Sequence, residues 1–146
     1  MPSRDATTHW QGDLKPGSGT VTLDSSNAGS FAVSFPTRAG DPDGQTSPEE
    51  LIAAAHSACY AMSLSGGLAK AGTPVEELDV TAEVTLGRPD GGGLTITSVV
   101  LTVEATVPGV DDAAFQEAAT VAKAGCPVSR ALAAVPSITV EARLRG

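Results

Sequence analysis

Residues 47–72 read SPEELIAAAHSACYAMSLSGGLAKAG, and this stretch decides the fold because it predicts one long helix. Ser47 is a typical N-cap residue, Pro48 suits the first helical position, and Glu50 completes a capping box. We expect the helix to continue to about Lys70 and to stop at Gly72. Because it is rich in Ala, Ser and Gly, other elements can approach it closely, and we expect it to be buried.

Short strands are predicted on both sides of this helix. Residues 8–14, 19–24 and 30–36 are separated by Gly, Ser and Asn turn signals, and residues 80–86 and 94–107 alternate apolar and polar side chains. The glycine-rich residues 87–93 are interpreted as a hairpin connection, because no strand-to-helix context for a phosphate-binding loop follows them. Helices over residues 111–124 and 127–135 and a strand over 138–144 complete a single α+β domain, residues 1–146.

The composition is that of an acidic globular protein. The chain has 146 residues, of which 41% are hydrophobic, and this is enough for a core without stabilising disulfides. A net charge of −8 argues against a nucleic-acid partner and against attraction to anionic membranes. No apolar run approaches the roughly 20 residues of a transmembrane helix, and the first residues lack a signal peptide's apolar stretch. We therefore expect a cytoplasmic protein without a membrane partner.

The two cysteines are the first candidates for chemistry. They do not make a disulfide scaffold, and they lack the paired spacing of a structural zinc site. Cys59 lies in the middle of the long helix, where it is either a small buried core residue or a redox-active one. Cys126 falls at the N-cap of the next helix, where unpaired N–H groups and the helix dipole favour a thiolate, unless it simply fills the corner.

The two histidines have open roles. His56 lies three residues before Cys59 on the same predicted helical face, so it could act as a base, hydrogen-bond the thiol, or be a satisfied helix histidine. His9 precedes Trp10 in a predicted strand and has no partner that the sequence identifies.

Three segments resemble the OsmC branch of the OsmC/Ohr family. They are SPEELIAAAHSACY at residues 47–60, KAGCPVS at 123–129 and HWQGDL at 9–14. The similarity covers essentially the whole chain, and both cysteine segments match in order and context. The family consists of thiol-dependent hydroperoxide reductases active in stress defence, so the resemblance implies reduction of organic hydroperoxides to alcohols. It also implies the OsmC-like fold, in which antiparallel sheets pack on a long buried central helix in an intertwined homodimer.

The resemblance assigns roles to four residues. Cys59 corresponds to the peroxidatic nucleophile and Cys126 to the cysteine that resolves its sulfenic acid to a disulfide. Arg38, in the sequence FPTRAG between strand and loop, and Glu49, the first glutamate after the helix proline, correspond to the rest of the site. The arginine would stabilise the thiolate and the leaving alkoxide, and the glutamate would orient the arginine. Tyr60 stands where the family usually has phenylalanine, which concerns the pocket lining rather than catalysis.

The spacing of Glu49 and Cys59 predicts a site built from two chains. The two residues lie ten positions apart on one predicted helix, a separation of about 15 Å, which is too far for one shared site. We therefore expect Glu49, with Arg38, to come from a second subunit of an obligate homodimer.

The substrate and the reductant follow from the same chemistry. Three apolar residues, Ile52, Met62 and Phe35, are expected to line the site, which favours an alkyl hydroperoxide because its tail can bury apolar area there. An external dithiol must restore the cysteines, and the resemblance implies a lipoylated protein in this role for the related Ohr branch. No cofactor and no metal are expected.

Three other interpretations of the sequence compete with this one. The first is a non-enzymatic ligand-binding or interaction domain with two incidental thiols. The second is a general disulfide oxidoreductase, which usually relies on a C-x-x-C pair that this chain lacks. The third is a metal site using Cys59, Cys126, His9 and His56, whose spacing fits no common pattern.

Overall fold

Groups of strands and pairs of helices follow one another along the chain in the computed structural model, which describes residues 1–145. In chain order they are β1 (Thr7–Gln11), β2 (Ser18–Thr22), β3 (Ser30–Ser34), α1 (Phe35–Ala39), α2 (Pro48–Lys70), β4 (Glu77–Gly87), a 3₁₀ turn (Pro89–Gly91), β5 (Thr95–Thr106), α3 (Asp112–Gly125), α4 (Pro127–Ala131) and β6 (Ser137–Leu144). The α+β class is confirmed. The chain forms two compact units, residues 1–51 and residues 52 onward, which we call the N-terminal and C-terminal units. The single domain stays a prediction.

The N-terminal unit contains an antiparallel sheet in the order β1-β2-β3, and its three strands overlap the three predicted ones. The third strand ends earlier than predicted, because α1 begins at Phe35. The Ser34 side chain accepts a hydrogen bond from the Thr37 N–H at 3.3 Å, and Pro36 occupies the first turn of the helix. Arg38 therefore lies on a short helix and not in the predicted strand-to-loop stretch.

Helix α2 begins and ends where the sequence predicts. The Ser47 hydroxyl accepts a hydrogen bond from the Glu50 N–H at 3.1 Å, which caps the helix. The predicted capping box is only half formed, because the Glu50 carboxylate accepts a hydrogen bond from the Thr46 hydroxyl at 2.6 Å instead. After Lys70 the chain turns at Gly72, whose φ of +84° favours glycine.

The predicted burial of α2 holds for one stripe only. His56, Tyr60, Leu64 and Leu68 recur every four residues and are all buried, because this spacing places them on one face. The small residues occupy the other faces, and Met62 beside them is 75% exposed. A single chain thus leaves most of its long helix uncovered.

By length and composition alone, α2 could cross a membrane. It has 23 residues, and the most apolar 18-residue window has a mean hydropathy of 1.2, with 22% of that window buried. The sequence of α2 contains no uninterrupted apolar run of this length, because alanine and other small residues raise the mean hydropathy without forming such a run. Core helices of water-soluble proteins meet the same criteria, so this property does not distinguish the two cases.

The sheet of the C-terminal unit has the order β4-β5-β6. β4 and β5 form the predicted antiparallel hairpin, but β6 runs parallel to β5, which corrects the expectation of purely antiparallel sheets. β6 is parallel to β5 because α3 and α4 connect the two strands. This crossover returns the chain to the end of the sheet at which β5 began. α4 is shorter than predicted and ends at Ala131.

The core of the C-terminal unit lies between this sheet and the helices. It is built from side chains of α2, β5 and the α3–α4 region, chiefly Tyr60, Leu64, Leu68, Leu101, Val103, Phe115, Ala122 and Cys126. Asp111 caps α3 by accepting a hydrogen bond from the Ala114 N–H at 2.8 Å. The cysteine-bearing corner between α3 and α4 is therefore part of the packed core.

Candidate active site

The two cysteines meet inside the C-terminal unit. Cys59 projects from the middle of α2, and Cys126 occupies the predicted N-cap position of α4. Their Sγ atoms are 3.3 Å apart, and both thiols are free. Because a disulfide bond is about 2.05 Å long, a movement of roughly 1 Å would close it.

The surroundings of the two sulfurs affect their acidity in opposite directions. Burial raises the pKa of the Cys59 thiol, and a backbone hydrogen bond from Val128 opposes this only partly. Burial also acts to raise the pKa of Cys126, but the backbone and hydroxyl of Ser129 outweigh it and lower that pKa overall. The Cys126 side chain itself makes no capping hydrogen bond in α4. Of the two sulfurs, Cys126 is therefore the one whose pKa its surroundings lower, which is the direction that the sequence predicts for an N-cap cysteine.

His56 contacts a serine and not the thiol beside it in the sequence. The imidazole is completely buried, and its Nε2 atom lies 2.7 Å from the Ser129 hydroxyl oxygen on α4. Burial lowers the pKa of His56, which keeps the ring neutral near pH 7. Of the three roles that the sequence left open, the structure favours a hydrogen-bonded helix histidine. Ser129 is the last residue of the KAGCPVS segment, but no local pattern in the sequence indicates that it contacts His56.

Arg38 and Glu49 form an ion pair in the N-terminal unit. Arg38 Nη2 lies 2.7 Å from Glu49 Oε1, and Arg38 Nε lies 3.1 Å from Oε2 and 3.2 Å from Oε1. The Glu49 side chain is 9% exposed and the Arg38 side chain 32%. The hydrogen bond that Arg38 donates to Glu49 raises the pKa of Arg38 further, so the guanidinium stays charged. The carboxylate therefore fixes the direction of the cation.

An apolar cavity of about 380 Å³ lies beside this ion pair in the same unit. Arg38 is its charged lining residue, and the apolar lining includes Trp10, Leu14, Phe35 and Leu51. A cavity of this size and polarity suits a small organic molecule with one polar group.

Trp10 is held in this cavity wall by a close approach to glycine. The indole N–H donates a hydrogen bond to the Gly12 carbonyl at 2.8 Å. A Cβ atom at Gly19 would lie 2.9 Å from Cε3 of the ring, closer than side chains pack, so a glycine is required opposite Trp10. Trp10, the one tryptophan of the chain, is not among the lining residues predicted from the sequence.

The structure does not bring the three predicted pocket residues into one cavity. Phe35 lines the cavity beside Arg38. Met62 lines a different one, of about 640 Å³, between α2 and α3 in the C-terminal unit. Ile52 lines neither of these cavities. Helical spacing placed Ile52 and Met62 near Cys59, but it could not show which faces of α2 border a cavity.

The described residues, 1–145, contain no group of three or more His, Cys, Asp or Glu side chains that could hold a metal ion.

Comparison with known proteins places this arrangement in a family. A model of the OsmC-like protein family matches residues 40–141. The chain is 44% identical over 137 residues to the protein named peroxiredoxin OsmC from Escherichia coli strain K12, covering 94% of this chain and 93% of that protein. The chain belongs to the OsmC-like family.

Solved structures agree with this OsmC-like assignment. An organic hydroperoxide resistance protein from Elizabethkingia anophelis, solved with thiocyanate bound, is 28% identical, with a TM-score of 0.76 over 100% of this chain and 97% of that one. The organic hydroperoxide resistance protein OhrB of Bacillus subtilis is 24% identical, with a TM-score of 0.75 over 98% of both chains, and it supports the fold alone. The predicted OsmC-like fold is confirmed.

Tyr60 packs into the core of this OsmC-like chain. The residue is completely buried, and its hydroxyl donates a hydrogen bond to the Ala119 carbonyl on α3 at 2.8 Å. Within the C-terminal unit, the phenol therefore joins α2 to α3.

Replacing Tyr60 with phenylalanine tests this structural role. We expect Tyr60→Phe to lower the free energy of unfolding by about 1 kcal/mol, because the buried Ala119 carbonyl loses its donor. Urea denaturation measures the change. Ser57→Ala is a matched control, since Ser57 bonds only within α2, to the Ala54 carbonyl. Equal stability of the Tyr60→Phe and parent proteins would contradict the assignment.

Proposed function

We propose that this OsmC-like chain is a cysteine-based peroxidase that reduces organic hydroperoxides to alcohols. The observation that carries the proposal is the pair of free sulfurs, Cys59 and Cys126, 3.3 Å apart where α2 meets the start of α4. The 44% identical relative that bears the name peroxiredoxin supports the same chemistry.

In the proposed reaction, the Cys59 thiolate attacks the peroxide oxygen and breaks the O–O bond. The alkoxide leaves and takes a proton to become the alcohol, while Cys59 becomes a sulfenic acid. Cys126 then displaces the hydroxyl group from Cys59, which leaves as water, and the Cys59–Cys126 disulfide forms. An external dithiol supplies two electrons to restore both thiols. We propose a lipoylated protein as that dithiol.

Arg38 and Glu49 complete the proposed site. The groups that act on the Cys59 sulfur from its own unit carry no positive charge, and burial raises the pKa of Cys59 there. A cation is therefore needed to make the thiolate at neutral pH. Arg38, held in place by Glu49, supplies this charge in the proposal, and it also stabilises the charge on the leaving alkoxide.

We propose a homodimer in which this ion pair comes from the partner chain. Glu49 and Cys59 share the continuous helix α2, and ten residues of helix span about 15 Å. The exposed small-residue faces of α2 and the fully exposed strand β1 are surfaces that a second copy would cover. We propose a cytoplasmic location, where thiols are kept reduced.

The disulfide is tested by mass spectrometry after one equivalent of cumene hydroperoxide. We expect the wild-type protein to gain a Cys59–Cys126 linkage, because the sulfurs already lie within about 1 Å of bonding distance. We expect Cys126→Ser to accumulate a sulfenic acid at residue 59, which dimedone traps. Ser57→Ala serves as the control and should behave as wild type. Reduced cysteines in the treated wild-type protein would refute the proposed reaction.

The composite site is tested by mixing two inactive variants, Cys59→Ser and Arg38→Met. After refolding together, we expect about a quarter of the wild-type activity, because half of the dimers are mixed and each has one complete site. A mixture of Cys59→Ser with the double variant Cys59→Ser/Arg38→Met is the matched control and stays inactive. An active wild-type species at the single-chain mass of 14.6 kDa in light scattering would refute the dimer.

The apolar cavity beside Arg38 predicts the substrate preference. We expect cumene hydroperoxide to be reduced faster than hydrogen peroxide at equal concentration, since its tail can occupy the cavity lined by Trp10 and Phe35. Trp10→Ala should reduce the difference between the rates for the two peroxides, because it removes apolar contact area from the cavity. Faster consumption of hydrogen peroxide by the wild-type protein would overturn the assignment.

A non-enzymatic binding domain is the alternative that the sequence left open. The contact between the two sulfurs and the membership in a family with peroxidase relatives do not favour it. The binding-domain alternative predicts no disulfide after peroxide treatment. The mass spectrometry experiment therefore distinguishes this alternative from the proposed peroxidase.

A further inference from the structure

We propose that His56 and Ser129 form a buried hydrogen-bond relay that directs a hydroxyl donor onto the Cys126 sulfur and so makes Cys126 the better nucleophile for disulfide formation. This inference rests on the proposed function, because it concerns the step in which Cys126 attacks the oxidised Cys59. In that role His56 and Ser129 are positioning residues.

The relay joins α2 to the first turn of α4. His56 on α2 is completely buried, and its Nε2 atom lies 2.7 Å from the Ser129 hydroxyl oxygen. Ser129 is itself buried and stands three residues after Cys126, the N-cap of α4. Cys126 and Ser129 are thus the N-cap and N3 residues of α4, two positions that face each other across the first turn of a helix. Ser129 also lowers the pKa of the completely buried Cys126 thiol, in agreement with this placement.

The direction of the hydrogen bonds follows from an atom without a partner. Among residues 1–145, Nδ1 of His56 is the buried side-chain nitrogen or oxygen that makes no hydrogen bond. A neutral imidazole carries one N–H and one lone pair. Burying an N–H without an acceptor is rarer than burying a lone pair, so the hydrogen belongs on Nε2. His56 therefore donates to Ser129, whose own O–H remains free to donate to Cys126.

The other titratable groups around Cys126 do not replace this donor. Cys59 faces it at 3.3 Å and is the sulfur that Cys126 attacks. Tyr60 packs nearby, but its hydroxyl donates to the Ala119 carbonyl, and burial raises its pKa, so it stays neutral. His56 stays neutral as well, because burial lowers its pKa. The Ser129 hydroxyl is thus the side-chain donor that the relay directs at the sulfur.

The relay acts on the resolving step alone. A thiolate at Cys126 attacks the Cys59 sulfur, the S–S bond forms, and the S–O bond of the sulfenic acid breaks. The hydroxide that leaves takes up the proton that Cys126 released, so one water forms and no further oxidant is consumed. Formation of the sulfenic acid at Cys59 precedes this step, and neither His56 nor Ser129 is among the groups that shift the pKa of Cys59.

The first experiment needs no peroxide. In a Cys59→Ser background, the ultraviolet absorbance of the Cys126 thiolate is titrated with and without Ser129→Ala. We expect Ser129→Ala to raise the midpoint by about one pH unit, which lowers the thiolate fraction at neutral pH about tenfold. The backbone N–H of residue 129 remains in this variant, so the change isolates the hydroxyl. Ser57→Ala is the control, and equal midpoints for Ser129→Ala and the control would overturn the relay.

A pair of substitutions at His56 tests its role in directing Ser129. His56→Gln retains an N–H donor near the position of Nε2, whereas His56→Leu removes it. We expect the midpoint of Cys126 to stay near the parent value in His56→Gln and to rise in His56→Leu. The same comparison in Ser129→Ala should show no difference between the two, because the connecting hydroxyl is gone. Equal midpoints for His56→Gln and His56→Leu with Ser129 present would overturn the part assigned to His56.

A kinetic experiment separates the failure of this inference from the failure of the proposed function. In proteins that retain both cysteines, rapid quenching with dimedone measures the sulfenic acid, and mass spectrometry measures the disulfide. We expect Ser129→Ala to form the sulfenic acid at the wild-type rate and to form the disulfide about tenfold more slowly at neutral pH, recovering as the pH rises. Absence of sulfenic acid in the wild-type protein would refute the proposed function, whereas unchanged disulfide formation in Ser129→Ala would refute the relay alone.

Discussion

The packing of α2 against the corner between α3 and α4 is the constraint on which the cysteine pair depends. Three hydrogen bonds cross this contact, from Tyr60 to the Ala119 carbonyl, from Ser63 to the Ala122 carbonyl and between His56 and Ser129. Together with the buried stripe of α2, they fix its position along its own axis. A slip of one helical turn, about 5.4 Å, would separate sulfurs that now lie 3.3 Å apart.

The same packing gives the two thiols unequal surroundings. Cys126 begins a helix, so backbone and hydroxyl donors stabilise its charge even though it is completely buried. Cys59 lies inside a helix, where its amide is already used and burial raises its pKa. The C-terminal unit thus lowers the pKa of one sulfur and raises that of the other. The guanidinium of Arg38, oriented by Glu49 in the N-terminal unit, is the charged group that the proposed dimer brings to the other.

Local signals in the sequence predict where most helices and strands begin and end. They predict less well which of these elements contact each other. The Ser47 cap and the turn at Gly72 bounded α2, and the Gly125–Pro127 junction placed Cys126 at the start of α4, because these effects act within one turn of the chain. The parallel pairing of β6 and the bond between His56 and Ser129 join residues far apart in sequence, for which no local pattern exists. Helical spacing likewise could not assign Met62 to a cavity.

The unequal exposure of the two sulfurs has a consequence for the return half of the cycle. Cys126 is completely enclosed by its own chain, whereas Cys59 retains partial access to solvent. In the proposed reaction, an incoming thiol therefore meets the disulfide at Cys59, and Cys126 departs as the leaving group. Cys126 is the sulfur whose anion the protein stabilises, so it is the better leaving group. This determines which sulfur leaves and also increases the rate of the exchange. In that proposed exchange, the mixed disulfide forms at Cys59 on α2, and the Cys126 thiol is regenerated inside the core.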